Sequence, residues 1–347
     1  MPLPARPVAG ILADNLRLRG SVLPIPARRA TRWARELGLP RGGETVLYTG
    51  MMYQLIPYIE RLVTLSSRLG DSPLARLSGL GRRANRLVSL LGLVARPPAR
   101  ERAEYDRILA DIARLLRSAG VEFGYLYSDD LYAGALAWDL GADEAVTAHA
   151  RRVADIFRSY GVREAITVDP HTTTMLRTVY PSLVDGFDVR VRSYLEVLAE
   201  RGLPAASAVP AEAVIHDSCV YARAENVTEA PRQLLAAAGV TVREPASSGK
   251  QTWCCGGPAE ALFPARAAAV AASRVSQLRA VAPDCVTMCP ICLVNLRKAA
   301  PDGSLRVRDI SSYLADAAGV RRLPVTPAAS AAAGAAGSGP AGGLQSG

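Results

Sequence analysis

Residues 44–53 read ETVLYTGMMY and residues 212–221 read EAVIHDSCVY. Each is a short apolar run ended by a turn, which predicts a buried strand feeding a helix. The two stretches match position by position, and the match extends outward. Residues 115–123 (LLRSAGVEF) match 234–242 (LLAAAGVTV). Residues 132–141 (YAGALAWDLG) lie where 254–263 (CCGGPAEALF) lie. Residues 166–177 (ITVDPHTTTMLR) match 286–297 (VTMCPICLVNLR), and both halves close on a helix, 193–202 (SYLEVLAERG) and 312–319 (SYLADAAG). Strands alternate with helices in each half, the pattern of parallel layers. The expected fold is α/β, with two pseudo-repeated parallel-sheet halves.

The repeat is unequal. Met51 to Leu115 spans 64 residues, but Cys219 to Leu234 spans 15. The first half therefore carries an insertion of about 49 residues, centred on residues 66–100. Within it Leu87, Leu90, Leu91, Leu93 and Val94 accompany Arg82, Arg83 and Arg86. Such a basic amphipathic segment suits an acidic protein surface or an anionic membrane face, or it covers the first half as a helix. The expected boundaries are an N-terminal segment over 1–43 with one short helix (Ala30 to Leu37), halves over 44–203 and 211–320, and a disordered Ala/Gly/Ser/Pro tail over 324–347.

The chain has 347 residues, a net charge of +9 and only four Phe. The charge alone allows an acidic partner, but no aromatic–basic cluster suggests base stacking, so nucleic acid is not expected. No apolar run reaches a membrane span, and the first 20 residues lack a signal peptide's apolar region. The expected compartment is the cytoplasm, where thiols stay reduced and clustered cysteines more often mean metal or catalysis than disulfides.

Five of the six cysteines fall at three predicted strand ends: Cys219, the vicinal pair Cys254–Cys255, and Cys289 with Cys292. In a doubly wound sheet the carboxyl ends of the strands converge on one rim, so these thiols are expected to meet. Five thiolates exceed the four positions of a tetrahedral zinc site and suit an iron–sulfur cluster. Gly256 and Gly257 let backbone approach closely. Pro290 opens a helix whose positive end faces the site. Cys285, inside a predicted strand, is read as core. His216 is either an ordinary histidine in a strand near the rim or a proton donor or hydrogen-bond partner beside a cluster, tuning its potential. Trp253 is expected to shield the site.

The set Cys219, Cys254-Cys255-Gly256 and Cys289-Pro290-Ile291-Cys292 resembles the cysteine-rich CCG domain. That domain occurs in heterodisulfide reductase subunits B and D, in the iron–sulfur subunits of glycolate oxidase and anaerobic glycerol-3-phosphate dehydrogenase, and in lactate-utilisation proteins. The family normally carries two such domains in tandem, which the repeat fits. The resemblance implies one [4Fe-4S] cluster, of the non-cubane type in heterodisulfide reductase, with zinc as the alternative. It implies an electron-transfer subunit of a cytoplasmic redox complex, tied to disulfide reduction or to a 2-hydroxy-acid or glycerol-3-phosphate dehydrogenase. A zinc-stabilised scaffold is the alternative function. The implied partners are a ferredoxin-type iron–sulfur subunit and a flavoprotein subunit, with peripheral membrane association through the complex. Residues 15–43 are similar to the linker that follows a ferredoxin domain in fused members, and no ferredoxin cysteine motif is present in the chain.

The first half departs from the pattern. Met51, Tyr132, Ala133, Asp169 and Thr172 stand where the five cysteines belong, while Gly134 and Pro170 remain. The expectation is a fold retained without its cluster. His171 is read either as a capping or loop residue or, with Asp169 and Tyr132, as part of a pocket for a substrate or quinone.

Overall fold

The computed structural model describes residues 5–23, 25–69, 97–203, 211–257, 260 and 263–322. Two parallel four-stranded sheets form the frame. The first contains β1 (Thr45–Tyr48), β2 (Gly124–Tyr125), β3 (Glu164–Thr167) and β4 (Arg190–Ser193) in the order β2-β1-β3-β4. The second contains β5 (Ala211–His216), β6 (Val240–Arg243), β7 (Asp284–Thr287) and β8 (Arg306–Asp309) in the order β6-β5-β7-β8. The α/β fold with two equivalent halves is as the repeat implies. In β1 and β5, Val46, Leu47, Tyr48, Val214 and Ile215 are all fully buried. Such runs do not alternate with polar residues because helices cover both faces of a parallel sheet. Val46 pairs with Ala165, and Val214 pairs with Cys285. The connections reverse direction between β1 and β3 and between β5 and β7, which opens a crevice at the carboxyl ends of those strands.

The helices show why this sequence packs. In Ala99–Ser118, Ile108, Leu109, Ile112, Leu115 and Leu116 are buried on one stripe, the spacing of an amphipathic helix. The chain leaves it through Gly120, whose φ of +73° an L side chain would resist.

The halves are tied together reciprocally. The Tyr53 hydroxyl donates to Asp309 Oδ2 at 2.7 Å, and the Tyr221 hydroxyl lies 3.0 Å from Ser193 Oγ. Tyr53 and Tyr221 hold equivalent places after β1 and β5, so the contact has the self-complementary form of a two-fold interface. Thr174 Oγ1 donates to Glu225, and Arg177 pairs with the same buried carboxylate at 3.2 Å.

Several details differ from the sequence reading. Residues 5–43 contain a helix over Ala5–Arg19 as well as short turns over Ala27–Ala30 and Arg32–Leu37. This segment belongs to the first half's core. Leu16 is fully buried, Tyr132 N donates to Gly20 O at 3.0 Å, and Trp33 sits edge-on to Tyr125 with centroids 4.8 Å apart. Polar residues interrupt the helix's apolar stripe, which hid its periodicity. The strand β2 is confined to Gly124–Tyr125: Tyr125 is held on its outer side by Pro40 O and Gly42 N, and the chain turns away at Tyr127, φ 54°. The closing helices also align differently. Ser193 caps Tyr194–Arg201 in a capping box with Glu196, and Asp309 caps Ile310–Ala317 through Ser311 N. Ser193 thus corresponds to Asp309, and the two SYL triplets are offset by three residues. Residues 70–96, most of the insertion, and the tail from residue 323 lie outside the described residues. Among the described residues no helix is long and apolar enough to cross a membrane.

Candidate metal centre

Three loops at the crevice between β5 and β7 carry the sequence-predicted cysteines. Cys219 opens the helix Cys219–Arg223 directly after β5. Cys254 and Cys255 follow the turn Gly249–Gln251 beyond β6. Cys289 stands at the N-cap position of the helix Pro290–Ala299 after β7, and Cys292 lies in its first turn. The sulfurs form a chain. Cys219 and Cys254 Sγ are 4.0 Å apart, Cys254 neighbours Cys255, Cys255 neighbours Cys292, and Cys292 neighbours Cys289. Cys255, Cys289 and Cys292 are buried, while Cys219 and Cys254 are partly open to solvent. Cys285 is set apart: it is buried on β7, with its sulfur 3.8 Å from Val286 O.

Backbone shapes the nest. Gly256 has φ +80°, and a Cβ there would fall 2.5 Å from Ala267 O. A Cβ on Gly257 would fall 2.1 Å from Ile291 Cγ2 and 3.4 Å from Cys255 Sγ. Only glycine therefore lets this loop pass between the helix Pro264–Arg279 and the Cys289–Cys292 turn. Gly256 N then donates to Cys254 Sγ at 3.3 Å. The loop is tied to β5 by Asp217, which is buried, accepts from both Nη atoms of Arg232 at 2.9 and 3.0 Å, and takes Gly249 N at 2.7 Å. Bidentate pairing of this kind fixes geometry as well as charge.

The electrostatics show what the thiols lack. Hydrogen bonds from Cys219 and Cys255, helped by the Gly256 amide, pull Cys254 far down. Burial opposes ionisation of Cys289, but hydrogen bonds from Cys292 and His171 outweigh it and hold Cys289 well below the usual thiol range. The other three move up. Cys219 is raised by its bond to Cys254 and by burial; Cys255 chiefly by its bond to Cys254; Cys292 by its bonds to Cys255 and Cys289. Five clustered thiols cannot all ionise against one another in a buried site. A multivalent metal core supplies the missing positive charge, so the donor set fits a thiolate-bound cluster.

Two residues the cysteine pattern did not yield also reach the site. Arg274, fully buried, donates Nε to His216 Nδ1 at 3.1 Å. Its position in a helix of alanines gave no signal of its own. His171 comes from the first half and hydrogen-bonds to Cys289. Burial works against its charge, but the Cys289 thiolate, with Asp169 and Asp139, raises it to about 9. Its predicted companions do other work. The Asp169 carboxylate caps the helix Pro170–Thr174, accepting from His171 N and Thr172 N at 2.9 and 3.0 Å. The Tyr132 hydroxyl accepts from Leu136 N at 2.8 Å. Helix termini thus engage Asp169 Oδ1 and the Tyr132 hydroxyl, while Asp169 Oδ2 stays buried without a hydrogen-bond partner. Trp253 is about half exposed, so it covers the sulfurs only in part.

The first half's rim is closed by its own packing. Ala133 N donates to Gly50 O at 3.2 Å, and a Cβ on Gly50 would fall 2.3 Å from Thr172 Oγ1. Gly50 and Met51 both take left-handed backbone, at φ 52° and 56°. A cleft of about 410 Å³ lined by Thr45, Glu164 and Arg190 lies at the strands' amino ends, away from the rim.

Residues 213–297 match the family model of the CCG cysteine-rich domain. The chain is 30% identical over 228 residues to "EtfAB:quinone oxidoreductase" of Syntrophomonas wolfei, covering 60% of this chain and 32% of that protein. It is 30% identical over 237 residues to "Probable membrane-anchored ferredoxin" of Chromohalobacter salexigens, covering 64% and 35%. It is 29% identical over 199 residues to "Probable iron-sulfur-binding oxidoreductase FadF" of Bacillus subtilis, covering 55% and 28%. The chain thus spans about a third of the length of these relatives.

Proposed function

We propose that this chain, a relative of iron–sulfur oxidoreductases with a CCG cysteine-rich domain at residues 213–297, is the electron-transfer part of a redox complex. The observation that carries this reading is the convergence of five sulfurs from three loops, in a set too large for one tetrahedral ion. Cys219, Cys254, Cys255, Cys289 and Cys292 would hold one [4Fe-4S] cluster, non-cubane if the likeness to heterodisulfide reductase extends to cluster type. When bound, it supplies reversible one-electron chemistry. The chain's own residues hold the thiolates. Gly256 N and the amino end of Pro290–Ala299 offset negative charge. Burial of Cys255, Cys289 and Cys292 limits water, and the partial opening at Cys219 and Cys254 leaves one edge for electron entry or exit.

The name of the Syntrophomonas relative favours a quinone-linked pathway, with disulfide reduction as the second possibility. The partners under this reading are a flavoprotein and a ferredoxin-type iron–sulfur unit, and the site of action is the cytoplasmic side of a membrane. Stopped-flow absorbance tests it. Anaerobically purified brown protein should bleach with dithionite and recover its colour on mixing with a water-soluble quinone. A colourless protein with no redox transition would support the zinc scaffold instead.

A further inference from the structure

A guanidinium inside a protein is costly unless its donors are used. Arg274 is fully buried, and it uses them. Nη1 donates to Ser247 O at 3.1 Å and Gln277 Oε1 at 3.0 Å, Nη2 to Thr252 Oγ1 at 3.3 Å, and Nε to His216 Nδ1 at 3.1 Å. The last contact decides a tautomer. Arginine stays protonated and offers donors only, so Nδ1 must be the acceptor and the ring hydrogen must sit on Nε2. Turning the ring over would set a carbon against the guanidinium and leave that donor unmet.

Nε2 is buried and has no hydrogen-bond partner. A ring nitrogen of His216 and the sulfurs of Cys255 and Cys292 all lie within 4.8 Å of one another. With Nδ1 engaged, Nε2 is the nitrogen free to serve that cluster of sulfurs. Taken alone, the three side chains resemble a metal-ligand set. Arg274 contradicts that, because an Nε2 that carries hydrogen has no lone pair to give. We propose that Arg274 is a positioning residue that locks His216 as an Nε2–H donor to a sulfur of the cluster site, so that His216 tunes the cluster and does not ligate it. This rests on the iron–sulfur reading above. A donor to thiolate sulfur favours the more negative, reduced state and raises the reduction potential.

Arg274 also anchors Thr252, two residues before Cys254, so a merely structural role must be separated from tuning. The test uses the full, iron-loaded chain with ¹⁵N-labelled histidine, read by pulsed EPR of the reduced cluster and by potentiometry. Wild type should show two weakly coupled histidine nitrogens near the cluster, one from His171 and one from His216. His216→Phe should keep the wild-type iron content, lose one of the two couplings and lower the midpoint potential. Arg274→Met should shift the potential in the same direction, and the double variant should fall no further than the larger single change. Arg274→Lys, which keeps a cationic donor, should recover at least half of the shift. If Arg274→Met fails to fold, His216→Phe and Arg274→Lys carry the same test. A strong coupling from a metal–nitrogen bond, or an unchanged potential in iron-replete His216→Phe, would overturn the proposal. Wild-type protein without iron would instead overturn the cluster reading, and the proposal with it.

Discussion

The two halves fold alike and end differently at the rim. After β7 the helix Pro290–Ala299 begins at Cys289; after β3 the helix Pro170–Thr174 begins at Asp169. Each terminus needs a negative group for its free amides. In one half a cysteine stands at that position without capping the amides through its side chain; in the other a carboxylate accepts from two of them. The loop ties show the same exchange. In the second half Asp217, on the loop after β5, accepts from Gly249 N on the loop that leads to Cys254. In the first half the acid sits on the opposite loop: Asp130 accepts from Thr49 N at 3.1 Å and from the Thr49 hydroxyl. Thr49 Oγ1 in turn accepts from Gln54 Nε2 at 2.7 Å and Met51 N at 3.2 Å. Side-chain hydrogen bonds and direct packing hold the first half's rim together at the place where, in the other half, five cysteines converge.

The largest expected effect strikes at that difference. Cys254→Ala and Cys292→Ala should each leave the protein nearly iron-free after anaerobic loading, since each removes a soft thiolate. Met51→Ala and Thr172→Ala, at the matching places, should leave iron unchanged. Elemental analysis of all four decides it, and iron loss in a first-half variant would break the comparison.

Next in size is the charge that supports each loop. Arg232→Met leaves the buried Asp217 carboxylate without its cation, a loss of about 3 kcal/mol, readable as a lower urea midpoint. The first half should respond to pH instead. Burial raises Asp130 from 3.8 to about 7, even though hydrogen bonds from Thr49 and Tyr125 pull it back in part. Between those values the folded state holds more protons than the unfolded one, so this group's contribution to stability falls as pH rises through that window. Asp130→Asn keeps the neutral shape and should flatten the decline between pH 4 and pH 8 in urea titrations. An unchanged slope would remove Asp130 from the account.

A paired glycine test is smaller and sharper. Gly134 and Gly256 share a left-handed turn, at φ 97° and 80°, but a Cβ on Gly134 meets nothing closer than 3.7 Å. Gly134→Ala should cost about 1 kcal/mol of backbone strain. Gly256→Ala must also displace the Ala267 carbonyl, so it should cost more and lower iron uptake. Equal effects would mean that the vicinal-cysteine turn is not specially cramped. The smallest effects should come from the reciprocal tie. Tyr221→Phe should cost about 1 kcal/mol and Tyr53→Phe somewhat more, because hydrogen bonds to an acid outweigh those to a hydroxyl. Thermal melts of the two variants give the ranking.

Much of this was legible before any coordinates. Matching strands and cysteines at strand ends imposed the parallel sheets and the meeting of Cys219, Cys254, Cys255, Cys289 and Cys292. Pro290 and Gly256 marked a helix start and a tight turn by their own backbone limits. What stayed hidden depends on tertiary contact. Arg274 looks like a solvent-facing arginine until the fold buries it, and His171 reaches Cys289 only because the halves dock. Asp169 looked free for a ligand because a helix cap draws on backbone amides that sequence does not display. The helix Ala5–Arg19 was missed for a similar reason: the first half's core, not its own periodicity, gives it a partner.

Under the proposed function the second half holds one cluster and the first half holds none. Iron and acid-labile sulfide counted per chain in anaerobically loaded wild-type protein test it most directly. One cluster's complement, about four irons with matching sulfide, is the predicted result. About eight irons, or a single zinc with no sulfide, would contradict it.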